Sequence, residues 1–133
     1  MILVDSNAIL DLVTNDPVWA NWSTNALEDA QVAGFALAIN DLIYAEVSIR
    51  YERKEALDDM LSRAGFTHAP IPKEALFLAG KAFGHYRAAG GKRPSVLPDF
   101  FIGAHAAVAG YALMTRDRGR YRTYFPTVEL IAP

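Results

Sequence analysis

Short unbroken apolar runs alternate along this chain with longer stretches in which apolar residues recur at helical spacing. Met1 to Val4 is the first run and Phe35 to Ile39 the second, and both read as strands buried on two faces because no polar residue interrupts them. Phe66 to Ile71 is a weaker third strand, Tyr111 to Thr115 a fourth, and Val128 to Ile131 a short last one. Helix signals fill the gaps. Asn15-Asp16-Pro17 closes a short first helix and opens a second, with Asp16 as N-cap, Pro17 in the first helical position and Gly34 as the stop. Asn40-Asp41 cap a helix bearing Glu46, and Lys54 to Ala64 forms another that Gly65 ends. A long helix runs from Pro72 to Gly90-Gly91, and Pro98 to Gly110 forms one rich in small residues, able to approach the sheet closely. Strands alternating with helices predict a single domain over residues 1–133, an α/β/α sandwich whose four or five strands are mainly parallel, with the first strand central.

That topology gathers carboxylates. Asp5 ends the first strand, at the carboxyl edge where open α/β sheets bind ligands. The helix after the second strand starts at the same edge and carries Glu46 about one turn in. The helix from Pro98 feeds the fourth strand, so its start, with Asp99, lies there too, and Asp117 follows directly after that strand. Two carboxylates about 4 Å apart repel by roughly 4 kcal/mol at an effective dielectric near 20, so four together demand a counter-charge. With oxygen ligands alone, Mg²⁺ or Mn²⁺ held by one or two direct carboxylates and several waters is the expected one. Each acid also has a plainer use: Asp5 and Asp99 favour helix starts, Glu46 suits a solvated helix face and Asp117 a turn before Gly119. Asp11 and Asp41 are weaker candidates, read as a helix-face residue and a cap. His68, His85 and His105 show no metal-ligand spacing and read as packing or surface residues.

Composition narrows the chemistry further. There is no cysteine, which removes disulfides, thiolate metal sites and cysteine nucleophiles. No apolar run is long enough to span a bilayer and Asp5 interrupts the one N-terminal candidate for a signal peptide, so a cytoplasmic location is expected. The overall charge of −2 conceals an asymmetry: residues 1–80 hold five basic and twelve acidic side chains, whereas residues 81–133 hold eight basic and three acidic. On composition alone the second half reads as ordinary solvated charge before it reads as a surface for phosphates; the phosphate candidates are Lys92, Arg93, Arg116 and Arg120.

Several segments together, Met1 to Asn7, Leu42 to Glu46, Leu97 to Ala106 and Leu113 to Asp117 followed by Tyr121-Arg122 and Tyr124-Phe125-Pro126, resemble in order and spacing a PIN domain of the VapC toxin type. The resemblance spans essentially the whole chain. It implies a Mg²⁺- or Mn²⁺-dependent endoribonuclease, the toxin of a toxin–antitoxin pair, usually dimeric and restrained by a VapB-like antitoxin. Asp5, Glu46, Asp99 and Asp117 match the family's acidic positions, and Ser6, Asn7 and Thr115 its supporting polar ones. Trp19, Trp22, Tyr44 and Tyr51 exceed the obvious needs of one small core and point to a homodimer.

Rival readings differ in what they require. A haloacid-dehalogenase-like phosphatase needs a second aspartate two residues after the first, where this chain has Asn7. A degenerate scaffold that only binds RNA or a partner protein has no need for all four acids. A DNA nuclease shares the same residue types, and the family resemblance alone favours RNA.

Overall fold

The structure is a computed structural model describing residues 1–133. Its strands are β1 (Ile2–Val4), β2 (Leu37–Ile39), β3 (Phe66–His68), β4 (Ala112–Met114) and β5 (Leu130–Ile131). They form one sheet in the order β3-β2-β1-β4-β5 with every neighbouring pair parallel. The helices are α1 (Ser6–Val13), α2 (Ala20–Val32), α3 (Asp41–Ser48), α4 (Lys54–Arg63), α5 (Lys73–Ala88), α6 (Pro98–Ala109) and α7 (Gly119–Tyr124). The chain steps outward from β1 to β2 and β3, then returns past β1 to β4. Right-handed crossovers running in opposite directions cover opposite faces of a sheet, giving the three-layer sandwich.

β1 is the central strand, and its three residues are buried along with Leu37, Ala38, Ile39, Leu113 and Met114 on the strands beside it. Because β2 lies on one side of β1 and β4 on the other, strand order reverses beside β1. Ligand crevices of open sheets form at such a reversal, beyond the carboxyl ends of the strands. Asp5 stands there, its amide bonded to the Met114 carbonyl at 2.8 Å.

Several elements are shorter than their apolar runs, for local reasons. The strand expected from Phe35 starts at Leu37, because Gly34 (φ 87°) turns the chain and the Phe35 amide caps α2 through the Ala30 carbonyl. Phe35 is thereby left half exposed. β3 stops at His68, since Pro70 and Pro72 lack the amides a ladder requires. The second helix begins at Ala20 rather than Pro17: Asp16 Oδ1 accepts from the amides of Val18 and Trp19, both at 2.9 Å, closing a turn before the regular helix. Helix α7 stands where the sequence reads as a polar turn, its six residues being too few for periodicity and opening on a glycine.

The small residues of α6 do permit a close approach, but at Gly103 the neighbour is Phe125, whose ring lies 2.3 Å from where a Cβ would stand. Phe125 is buried beside Phe100, ring centroids 6.4 Å apart. Alanine at position 103 would push that ring out of the core.

Candidate active site

Asp5 occupies the N-cap position of α1 with extended backbone, yet its side chain makes no capping bond. The carboxylate turns to the rim of the sheet instead, 6% exposed. Thr115 Oγ1 donates to its Oδ2 at 3.0 Å, the Tyr121 hydroxyl donates to the same oxygen at 2.9 Å, and Asn7 Nδ2 approaches it at 3.3 Å. Thr115 has one hydroxyl hydrogen, and its lone pairs accept from Asn7 Nδ2 at 3.0 Å and the Asp117 amide at 3.1 Å. Asn7 is completed by the Arg116 amide, which donates to its Oδ1 at 3.3 Å. The three polar residues expected to support the acids, Ser6, Asn7 and Thr115, are thus all in contact with Asp5.

Ser6 joins Asp5 to the second acid. Its hydroxyl lies 3.0 Å from Glu46 Oε1 and 3.4 Å from Asp5 Oδ1, and its single hydrogen favours the shorter contact. Glu46 reaches this place because Asn40, fully buried, caps α3 by accepting from the Ile43 amide at 3.0 Å, which sets the start of the helix. Asp99 lies in the first turn of α6 behind Pro98, and its Oδ2 accepts from Arg120 Nη1 at 3.2 Å. Asp117 points Oδ1 at the Gly119 amide, 3.0 Å away, capping the entry to α7. It also lines an open cavity of about 490 Å³ with Tyr86, Asp99, Gly119, Arg120, Thr123 and Tyr124.

Burial and charge act together on these groups. Desolvation raises the Asp5 pKa above the ordinary aspartate value, the bonds from Tyr121 and Thr115 and the Ser6 backbone oppose the rise, and the charge on Asp99 adds to it. Glu46 is raised in the same way by burial and by the charges of Asp5 and Asp99, against the Ser6 bond. The Tyr121 phenol is held well above its usual range, by burial first and then by the charge of Asp5. Asp5, Glu46 and Asp99 therefore feel one another electrostatically.

No three acidic or histidine side chains form a ready-made metal cluster. The donor set nonetheless fits a hard cation: it is all oxygen, it carries excess negative charge, and Asp5 Oδ1 has no side-chain donor closer than 3.4 Å. Mg²⁺ keeps several of its waters and takes only one or two direct carboxylates, so a closed trio is not required. Arg120 supplies the counter-charge on the Asp99 side, its guanidinium also lying over the Tyr86 ring at 5.4 Å.

The basic candidates separate into two pairs. Lys92 and Arg93 sit exposed on the loop between α5 and α6, where no carboxylate claims them. Arg116 and Arg120 are already engaged: Arg116 Nε bonds Asp11 Oδ2 at 3.0 Å with its guanidinium 5.6 Å from the Trp19 ring, and Arg120 holds Asp99. Asp11, expected on a helix face, is instead buried to 1% exposure and also accepts from Ser23 Oγ at 2.8 Å.

His105 keeps a packing role, whereas the aromatic expectation resolves differently. His105, read as packing or surface, is buried against Asn40, with Nδ1 3.1 Å from the amide nitrogen. Trp22, Tyr44 and Tyr51 pack partly buried against the core of the single chain, so the apolar side chains left exposed are others, notably Val32, Ile49, Val18 and Phe77. Sequence reasoning missed the Tyr121 bond to Asp5 and both arginine pairings. The sole signal was the Asp117-x-Gly119 spacing, an aspartate two residues before a glycine, which marks a capped helix start.

A family model described as PIN domain matches residues 2–126. A search of curated proteins returned no match. Among solved structures, the chain is similar to VapBC2 of Rickettsia felis bound to a promoter DNA fragment, with TM-score 0.75, 19% identity and coverage of 100% of this chain and 99% of that one. It is also similar to DNA-bound VapBC from Salmonella typhimurium, with TM-score 0.70, 15% identity and coverage of 98% and 96%. VapBC-1 from nontypeable Haemophilus influenzae gives TM-score 0.69, 19% identity and coverage of 99% and 98%. At these identities the likeness to solved structures is one of fold.

Proposed function

Since this chain belongs to the PIN-domain family, we propose that it is a Mg²⁺- or Mn²⁺-dependent endoribonuclease and the toxin of a toxin–antitoxin pair, restrained by a VapB-like antitoxin. The observation that carries the nuclease reading is the Ser6 hydroxyl joining the Asp5 and Glu46 carboxylates at the strand-order reversal, with Asp5 aimed away from its helix cap. The toxin and antitoxin assignments rest on the solved VapBC complexes that share the fold. A cytoplasmic location accords with a chain in which no helix is long and apolar enough to cross a membrane.

In this reading Asp5, Glu46, Asp99 and Asp117 hold the cation directly or through water, with Asp5 central because it is the most firmly fixed. Ser6, Asn7 and Thr115 orient those carboxylates. When bound, the cation supplies an activated water and offsets charge developing on the phosphodiester. Lys92 and Arg93 meet the RNA backbone from the exposed loop. Arg116 and Arg120 contribute to phosphate binding only as far as they leave Asp11 and Asp99, and every such contact weakens with salt. We also propose a homodimer, supported by the exposed Val32, Ile49, Val18 and Phe77.

One observation favours a second reading. Arg120 pairs with Asp99 as its counter-ion, as a scaffold that had lost catalysis and kept partner binding would do. Labelled single-stranded RNA and DNA of equal sequence, incubated with Mg²⁺, Mn²⁺ or a chelator, separate the possibilities. Endonucleolytic cuts in RNA that need the cation support the proposal. Cleavage of DNA alone would remove the RNA assignment, and no cleavage of either, together with no saturable Mn²⁺ binding, would favour the scaffold.

A further inference from the structure

Tyr121 lies outside the acids and their expected supporting residues, yet its hydroxyl makes the shortest polar contact to the Asp5 carboxylate. The ring is 2% exposed and belongs to the core, on a helix whose first turn is tied down by Asp117 capping Gly119. The hydroxyl therefore cannot swing away without unpacking the ring. A phenol at neutral pH has one hydrogen to give, and here it goes to Oδ2 of Asp5.

A carboxylate oxygen offers about two lone-pair sites. On Oδ2 of Asp5 these are filled by Tyr121 at 2.9 Å and Thr115 at 3.0 Å, with Asn7 at 3.3 Å beside them. Oδ1 is in the opposite condition. Its nearest side-chain donor is Ser6 at 3.4 Å, whose one hydrogen is better placed toward Glu46 at 3.0 Å. One oxygen of Asp5 is saturated, whereas the other has only the long Ser6 contact.

We propose that Tyr121 is a positioning residue that, by occupying Oδ2, makes Asp5 a one-oxygen ligand and so biases the site toward small octahedral cations and against Ca²⁺. The inference rests on the metal-site reading given above and adds a cause of its selectivity. Mg²⁺ demands near-ideal octahedral geometry at short distance, which a single fixed oxygen suits. Ca²⁺ takes six to eight ligands and readily uses both oxygens of one carboxylate. Without the tyrosine hydroxyl, a lone pair on Oδ2 is released and the second mode opens.

The test compares the full chain, Tyr121→Phe and Asp5→Asn in thermal melts titrated separately with Mg²⁺, Mn²⁺ and Ca²⁺, so that affinity is read from stabilisation and not from turnover. Tyr121→Phe keeps the ring that fills the core, and its metal-free melt reports whether folding is intact. The affinity for Ca²⁺ relative to Mg²⁺ should rise roughly tenfold in Tyr121→Phe, the size one ordinary hydrogen bond carries. RNA cleavage with Mg²⁺ should lose kcat with little change in KM. A role in packing alone would weaken all three cations in proportion, and an unchanged ratio would overturn the proposal while Asp5→Asn still loses binding. If Asp5→Asn binds the cations as the parent does, the metal-site reading falls and this inference with it.

Discussion

The rim of the sheet has two unlike halves. Around Asp5 the donors converge: Asn7, Thr115 and Tyr121 form a largely buried set in which each donor meets an acceptor, and no buried side-chain atom lacks a partner. Around Asp99 and Asp117 the side chains are partly or fully exposed, an arginine stands in as counter-ion, and an open cavity adjoins them. The buried half fixes the position of one ligand before any cation arrives. The open half keeps charges that can change partners, as binding a phosphate and a metal together requires.

The largest effect should come from disturbing the buried half. Thr115→Val keeps the shape but strips the buried Asp5 carboxylate of a donor, takes the shorter of two acceptors from the Asn7 amide and removes the acceptor of the Asp117 backbone N–H. Urea unfolding should show a loss of about 2 kcal/mol, the scale of one hydrogen bond lost from a buried charged group. A change below about 0.5 kcal/mol would mean that this network is looser than its geometry.

A smaller effect on stability, opposite in kind, is expected across the rim. The Arg120–Asp99 pair is about one-third exposed on both sides, so Arg120→Gln should alter stability by no more than about 1 kcal/mol after solvent screening. Its effect belongs in binding: Mn²⁺ affinity measured by calorimetry at low salt should rise several-fold as the competing cation is removed, and the gain should shrink as salt is added. Unchanged or weaker Mn²⁺ binding would show that Arg120 is not a rival for the metal's place.

The smallest effect is a pH dependence behind both halves. His105 on α6 accepts at Nδ1 from Asn40, whose Oδ1 is already used by the Ile43 amide. Burial lowers the His105 pKa, Asp41 opposes that through its charge, and Tyr111 is the other titratable ring packed nearby at 5.7 Å. A histidine lowered in the folded state binds fewer protons there than when unfolded. Its contribution is therefore complete above the ordinary histidine value, near 6.5, and is lost as pH falls toward the lowered one. Melting temperatures between pH 7.5 and 5, a range of about one unit either side of that value, should decline in the parent and less steeply in His105→Gln. Equal slopes would assign the dependence to other groups.

What could be read from the sequence follows how local each cause is. The apolar runs locate β1, β2 and β4, Gly34, Gly65 and Gly110 mark helix ends through positive φ, and Asn40 caps α3, all within a few residues of the signal. From these alone follows the expectation that the four acids meet at one rim. Side-chain partners joined across the chain were not legible: Arg116 to Asp11, Arg120 to Asp99 and Tyr121 to Asp5 are separated by 105, 21 and 116 residues. No periodicity encodes such pairings, because they depend on where α7 settles. That helix is six residues long and held by one capping bond and its buried ring. The same limit explains why the sequence offers Arg116 and Arg120 as phosphate candidates without showing the carboxylates they hold.

The central claim is that Asp5 anchors a cation on which RNA cleavage depends. Asp5→Asn retains size and most hydrogen bonding while removing one buried, repelled charge. RNA cleavage by this variant and by the parent, with Mg²⁺ and with Mn²⁺, together with their metal-free melting, tests it most directly. Cleavage should fall below detection in the variant while its metal-free melting temperature equals or exceeds that of the parent. A folded variant that still cuts RNA at a comparable rate with either cation would contradict the account.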